Sequence, residues 1–262
     1  MATVITAPQP RPRSPAPFPL RHPSDRNFFL LMVALIWVGI LGGFVPEIVR
    51  HVTSGAPPFP HILHVHGAAF VGWLVLLTVQ LLLIRNRQVQ LHRKIGIFGA
   101  VLAAVMVPLG IVTSLTMDRL HMQQDHADGA FFSVQLLDMI EFGVLAAAAI
   151  TARKSPSAHK RLILLATLSI TDAGFARWIG VWLNGYLGEG VWQFFIELFG
   201  AGSGVLILAI GAYDWITRRR LHPAYVYGAL FIFAGQITAS WLYYDPAWKA
   251  LSTNLVRAWP WA

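Results

Sequence analysis

Long runs of apolar residues recur along the chain, with short polar stretches between them. Seven of these runs have about 20 residues or more, the length that an α-helix needs to cross the hydrocarbon core of a bilayer. They lie at residues 27–49, 62–84, 95–117, 130–151, 161–184, 190–215 and 223–244. The pattern therefore predicts an all-α fold, an integral membrane bundle of about seven transmembrane helices.

The two ends of the chain depart from this pattern. Residues 1–26 contain seven prolines and few apolar residues, which predicts a disordered, Pro-rich cytoplasmic tail. Residues 245–262 place Trp248, Leu251 and Leu255 near helical spacing, which predicts an amphipathic segment in the outer interface. The predicted organisation is thus a tail, a seven-helix domain over residues 27–244, and an interfacial segment.

Composition and charge placement agree with a membrane protein. Only 12% of the residues are charged and 56% are hydrophobic. Fifteen of the 20 Lys and Arg residues fall on one side of the predicted spans, four on the other, and Arg177 within a span. Basic residues in short loops stay in the cytoplasm, so the N-terminus is predicted inside and the C-terminus outside. The net charge of +8 then reflects topology, and the predicted partner is the lipid bilayer, with no nucleic acid.

The chain has no cysteine. Structural disulfides, Cys-ligated iron–sulfur clusters, c-type haem attachment and thiol nucleophiles are therefore excluded. The pattern as a whole predicts a multipass protein of a bacterial cytoplasmic (inner) membrane.

One short motif occurs twice. His92 precedes two cations at the start of the third span, and His159 precedes two cations at the start of the fifth. The repeat predicts two related helical hairpins, spans two–three and four–five, that form a four-helix core.

Ionisable residues within a bilayer are unfavourable and mark functional sites. Four acids lie well inside the predicted spans, away from their ends, and polar side chains lie at overlapping depth on five spans, with His66 and Gln80 on the second. We therefore expect an outward-facing polar cavity lined by these groups. Its residues are Gln135, Asp138, Glu141, Asp172, Arg177, Gln193, Glu197 and Gln236. The structural alternative is a satisfied network, with Arg177 paired to Asp172 or Glu197 and the glutamines hydrogen-bonded between helices.

Histidines at the outer start of the second span suggest a metal site. His61, His64 and His66 crowd this position, and neutral imidazole together with Asp138 or Glu141 would suit zinc or iron. The alternative is a set of interfacial histidines without a ligand.

A second pair of histidines lies near the cytoplasmic side. His92 and His159 at equal depth on facing helices could ligate one b-type haem. Nearby cations could neutralise its propionates, namely Arg93, Lys160 and Arg161. The alternative is a row of basic anchors at anionic headgroups.

The chain resembles a large group of bacterial multipass inner-membrane proteins that has no established activity. The shared pattern runs from His66-Gly67 through Trp73 and Gln80 to Leu91-His92-Arg93-x-Ile95-Gly96. It continues with Asp138, with His159-Lys160-Arg161-Leu162 and with Ala176-Arg177-Trp178. More distantly, the paired hairpins look like the four-helix core of cytochrome b561-type transmembrane haem proteins. That resemblance implies at most one bis-histidine haem here, because the fourth span offers Asp138 and Glu141 instead of a histidine.

Three functions remain open at this stage. The leading hypothesis is a membrane redox protein with haem b between His92 and His159 and an outward cavity for a quinone or another small molecule. The second is a cation- or proton-coupled transporter, or a small-molecule receptor, that uses Asp172, Arg177 and Glu197. The third is a metal-dependent membrane hydrolase at His61, His64, Asp138 and Glu141.

Overall fold

The computed structural model describes residues 18–19, 22–125 and 128–261, and in these ranges every regular element is a helix. The helices are α1 (Asp25–Thr53), α2 (His61–Arg85), α3 (Val89–Asp125), α4 (Phe132–Thr151), α5 (Pro156–Leu168), α6 (Asp172–Leu183), α7 (Val191–Arg218), α8 (Pro223–Tyr244) and α9 (Pro246–Arg257). A 3₁₀ turn (Ala152–Lys154) extends α4. α6 and α7 contain π-helical segments at Ala176–Gly180 and Ile196–Gly204.

Six of the described helices are long and apolar enough to cross a membrane: α1, α2, α3, α4, α7 and α8. α5 and α6 meet the same criterion together, but they are bent by 42° at the break between them. The prediction of an all-α multipass membrane bundle is thereby confirmed, while the count of seven and the orientation stay predictions. Most of the predicted disordered tail, residues 1–17, 20 and 21, lies outside the described residues.

Large apolar side chains cover much of the outer surface of the bundle. Ile97, Leu230 and Val52 are all among the exposed side chains. An apolar surface of this extent is unfavourable in water and suits contact with hydrocarbon. The exposed faces therefore support the membrane assignment independently of helix length.

Two of the helices begin with the same local signal. The side chain of His222 accepts a hydrogen bond from the Ala224 N–H, and the side chain of Asp245 accepts one from the Trp248 N–H. In each case proline occupies the first turn, where its missing N–H leaves no hydrogen bond unmade. These caps fix where α8 and α9 start.

The bundle has the two predicted hairpin pairings, α2 against α3 and α4 against α5, and α4 also packs against α3 and α8. α1 lies against α6 through glycine, since a Cβ on Gly43 would meet the backbone of Gly174. Small residues allow this close approach of two membrane helices. α4 is therefore central, and α6 is held between α1 and α7.

We call the end of the bundle that carries Asp25, Lys160 and Arg218 the basic end, and the opposite end, which carries α9, the far end. At the far end Trp248 donates to the Ala130 carbonyl at 3.1 Å, and Lys249 pairs with Asp128 at 2.5 Å. Burial raises the pKa of the Asp128 carboxyl, but the hydrogen bonds from Lys249 and the Ala130 N–H, together with the Lys249 charge, outweigh it, so that pKa lies below its usual value. These contacts hold α9 against the loop before α4.

Candidate functional site

Three carboxyl groups are buried together in the middle of the bundle. Asp138 and Glu141 lie on α4 and Asp172 opens α6, with exposed fractions of 8%, 1% and 1%. Asp138 and Asp172 are near enough for their side chains to interact. Two adjacent carboxyl groups that are both buried disfavour double ionisation, so a proton on one of them is expected. We call these three residues the carboxyl cluster.

The cluster lies at the break between α5 and α6. α5 ends at Leu168 and α6 starts at Asp172. The Ser169 and Thr171 hydroxyls donate to the carbonyls of Ala166 and Leu168, both at 3.0 Å. The Ser169 hydroxyl thus replaces a backbone hydrogen bond that the break removes, and the Thr171 hydroxyl adds to the bond that its own N–H makes to Leu168, so the break leaves these carbonyls satisfied. Asp172 Oδ1 accepts from the Ala173 N–H at 2.8 Å, and its Oδ2 is buried without a partner.

Glu141 faces α8 and has no hydrogen-bond partner. Both carboxyl oxygens are buried and unpaired, and a Cβ on Gly235 would collide with Oε1. The next residue on α8, Gln236, is 1% exposed, and both polar atoms of its amide are also unpaired. Buried polar groups in proteins are nearly always hydrogen-bonded, so this set indicates protons, water or a ligand between α4 and α8.

The expected partner of the cluster, Arg177, is engaged elsewhere. Its side chain pairs with Glu47 on α1, donates to the Ala173 carbonyl at 2.6 Å and stacks on Phe44 at 4.4 Å. Its charge acts on Asp172 only through space. The pairing of Arg177 with Asp172 or Glu197, which the structural alternative assumed, is therefore replaced by the pair with Glu47. Among the ion pairs of the described residues, none includes a member of the carboxyl cluster.

The remaining residues of the predicted polar cavity form separate local pairs. Gln135 donates to Asp118 at 3.1 Å, and Gln193 donates to Glu197 at 2.7 Å. Asp172 belongs to the carboxyl cluster, and Gln236 follows the glycine that Glu141 contacts. The structure thus divides the predicted cavity into several groups.

The histidines of α2 are spread around the helix. His61 and His64 are exposed, and His64 Nδ1 lies 3.2 Å from the Pro60 carbonyl. His66 is partly buried, stacks on Phe70 at 4.0 Å between ring centres, and has an unpaired Nδ1. In the described part of the chain, no three His, Asp or Glu side chains are grouped so that they could hold a metal ion.

At the basic end the predicted histidine pair is present. The rings of His92 and His159 lie 6.4 Å apart between centres and nearly perpendicular, and His159 Nδ1 is 2.7 Å from the Ala149 carbonyl. Two of the three cations expected near them have other partners. Lys160 donates to Asp25 at 2.6 Å, and Arg161 makes a bidentate pair with Asp214. Arg93 is exposed.

The pairs of Lys160 and Arg161 belong to a network that sequence reasoning missed. Arg218 donates to Asp25 at 2.7 Å and approaches Asp214 at 3.4 Å, so five charged side chains from α1, α5 and α7 form one group. We call this group the basic-end network. The spacing of four residues between Asp214 and Arg218, one helical turn, was a signal that could have indicated it.

Comparison with known protein families, curated proteins and solved structures finds no match to this chain. The resemblance to bacterial inner-membrane proteins and to cytochrome b561-type proteins therefore stays a prediction. Evidence on the function therefore comes from the geometry of the carboxyl cluster.

Proposed function

We propose that this protein is a proton-coupled transporter of the bacterial inner membrane, and that the carboxyl cluster of Asp138, Glu141 and Asp172 is its proton-binding site. The observation that carries the proposal is three buried carboxyl groups beside a helix break, to which no cation of the described residues is paired. An uncompensated carboxylate is strongly disfavoured in a membrane interior. Protons are the simplest way to neutralise such a group, and they can be exchanged.

The helix break gives the cluster a means to exchange these protons. Broken helices at the membrane midplane are the usual position of coupling-ion sites in secondary transporters, since such a site opens alternately to the two sides. Asp172 lies directly after the break, and its partner Asp138 lies on the continuous helix α4. A change in the angle between α5 and α6 would separate the two carboxyl groups and release the shared proton.

The topology we propose has seven crossings, with the basic end in the cytoplasm. Lys160 of α5 contacts Asp25 at the start of α1, and Arg177 of α6 contacts Glu47 near the end of α1. At about 1.5 Å per residue, these two positions on α1 are roughly 33 Å apart. The hydrocarbon core is about 30 Å thick, so this contact pattern supports α5 and α6 together as one bent crossing.

The proton site is testable by infrared difference spectroscopy on the protein in lipid. We expect a pH-dependent C=O band of a protonated carboxyl group that is lost in Asp172→Asn and altered in Glu141→Gln. Asp118→Asn is the matched control, because Asp118 is also buried but pairs with Gln135 outside the cluster. If no pH-dependent carboxyl band depends on the cluster, the proton site is rejected.

Coupled transport is tested in proteoliposomes with a trapped pH indicator. Amines, amino acids and sugars are added in turn to vesicles under a pH gradient. We expect one class to collapse the gradient with the wild-type protein and not with Asp172→Asn. If a sodium gradient drives the response instead, the coupling ion is sodium and not the proton. If no class of compound gives a response, transport is rejected.

A second candidate function is supported by the histidine pair at the basic end. We propose that haem b, if the protein carries it, is held by His92 and His159, which would place one-electron redox chemistry at that end. The facing rings on different helices support this, whereas the pairing of Lys160 and Arg161 with carboxylates does not. A haem absorption band lost in both His92→Ala and His159→Ala is expected, and a colourless protein from haem-replete cells would reject it.

A further inference from the structure

A small cavity lies between the two π-helical segments, on the α6 side of α7. These segments, Ala176–Gly180 and Ile196–Gly204, pack against each other, and a Cβ on Gly180 would meet the Glu197 carbonyl. π-Helical segments are rare and are frequent at functional sites. Between them is a cavity of about 180 Å³ that opens widely to the surface, lined by Ala176, Gly180, Val181, Asn184, Phe194, Glu197 and Leu198.

One charged group faces this cavity, and it is incompletely paired. Of the described residues that line the cavity, only Glu197 carries a charge. Its Oε2 accepts from the Gln193 amide at 2.7 Å, whereas its Oε1 is buried without a hydrogen-bond partner. Arg177 lies on the same π segment but is held by Glu47 and Phe44 on α1. The negative charge of Glu197 therefore lacks a cation within the cavity.

The residues that line the cavity favour an organic ammonium ion over a metal ion. A metal ion requires several oxygen or nitrogen ligands, and here one carboxylate lies among mostly apolar residues. A small alkylammonium ion suits a site with one negative charge, an aromatic ring and apolar walls. Glu197, Phe194 and Leu198 line this cavity, and the Phe194 ring is held by stacking on Tyr243. The volume is below the range of about 300–1,000 Å³ that holds drug-sized ligands, so the ligand has to be small.

The cavity is placed to communicate with both the far end and the carboxyl cluster. Asn184 is exposed and begins the loop between α6 and α7. Ala176 lies one helical turn and Gly180 two turns after Asp172, or roughly 6 and 12 Å along α6. A ligand in the cavity would therefore press on the same short helix that carries Asp172.

We propose that this cavity binds a small organic ammonium ion, with Glu197 as its counter-charge and Phe194 as its aromatic wall. The assignment of this ion as the transported substrate rests on the proposed transport function, but the binding site does not. The coupling would be mechanical, because substrate binding and proton binding both act on α6.

Binding is measured by calorimetry on the purified full-length protein at neutral pH, with choline and methylammonium as probes. The neutral isostere of choline, 3,3-dimethylbutan-1-ol, tests whether the charge is required. We expect at least one ammonium probe to bind, the neutral alcohol to bind at least tenfold more weakly, and Glu197→Gln to lower the affinity at least tenfold. Glu189→Gln is the matched control, since Glu189 is an exposed carboxylate in the adjacent loop.

A second variant distinguishes loss of the binding site from loss of the fold. Ala176→Leu fills the cavity without removing a charge and should also abolish binding, with folding of both variants checked by thermal unfolding. The site is overturned if neither ammonium probe binds, if the neutral alcohol binds equally well, or if binding survives both variants. Binding should persist in Asp172→Asn. Binding without a proton signal would reject only the transport proposal, and a proton signal without binding would reject only this site.

Discussion

Two regions of the bundle bury ionisable side chains, but only one of them pairs these side chains with opposite charges. In the basic-end network, Arg161 and Asp214 are fully buried and joined by a bidentate pair, and Arg218 adds a second cation. In the carboxyl cluster, three acids are buried to a similar degree, but no basic side chain in the described part of the chain pairs with them. Burial alone therefore does not distinguish structural from functional charges in this protein.

Pairing makes that distinction. A buried ion pair with its hydrogen bonds made is a stable, fixed unit, and removing one partner is severely destabilising. An unpaired buried carboxyl group does not stabilise the fold and persists only if it serves another purpose. The comparison teaches that stability should depend on the basic-end network and activity on the carboxyl cluster.

The largest expected effect comes from breaking the buried pair. Asp214→Asn should lower the free energy of unfolding by about 3–5 kcal/mol, because Arg161 is then left buried without its counter-charge. Glu47→Gln breaks a comparable arginine pair whose side chains are 39% and 47% exposed, and it should change stability by less than about 1 kcal/mol. Denaturant unfolding in detergent measures both. Equal effects of the two variants would contradict the role assigned to burial.

The contact between α4 and α8 gives an intermediate effect. Gly235→Ala should destabilise by about 1–3 kcal/mol, because the new methyl group collides with the buried Glu141 carboxyl. Glu141→Asp, which shortens that side chain, should recover much of the loss in the double variant. Gly72→Ala is the control, since a Cβ there meets nothing within 4 Å. An additive double variant would show that the two residues do not touch.

The smallest expected effect is a pH dependence at the start of α8. Burial and the nearby positive charge of Arg161 lower the pKa of His222 from 6.5 to about 4. Between these values the unfolded chain binds the proton and the folded protein does not, so stability should fall as the pH drops from about 6.5 to 4. Protonation also removes the Nδ1 lone pair that accepts from the Ala224 N–H.

His222→Asn is the matched test of this dependence. Asparagine can keep the helix cap but has no proton to gain in this range. The thermal unfolding midpoint of the variant should therefore change less between pH 6.5 and 4 than that of the wild-type protein. Parallel curves for the two proteins would show that the acid sensitivity has another origin.

Much of the helical arrangement followed from local patterns. The predicted run at 223–244 has the same bounds as α8, and the run at 62–84 lies within one residue of each end of α2. The predicted run at 161–184 was interrupted, because α5 ends at Leu168 and α6 starts at Asp172. A hydropathy profile barely changes at such a break. The Ser and Thr residues there make hydrogen bonds to the backbone carbonyls without interrupting the apolar run.

The candidate site was only partly predictable. Asp138, Glu141 and Asp172 were identified because an acid within an apolar run is unusual whatever surrounds it. The pairing of Arg177 with Glu47 was not among the alternatives considered, because helical phase says which face a side chain occupies and not which helix lies opposite. Asp214 was overlooked for a related reason, since its position near the end of a span concealed that it is fully buried.

The amino-acid sequence by itself determined that this is an all-helical membrane protein, because helix length and apolarity are properties of continuous segments and lipid requires every backbone hydrogen bond to be made locally. Only the tertiary structure decided which charges are paired. Arg161 meets Asp214 across 53 positions of the chain and Arg177 meets Glu47 across 130. Such pairings depend on how helices lie beside one another, and they left the carboxyl cluster without a cation.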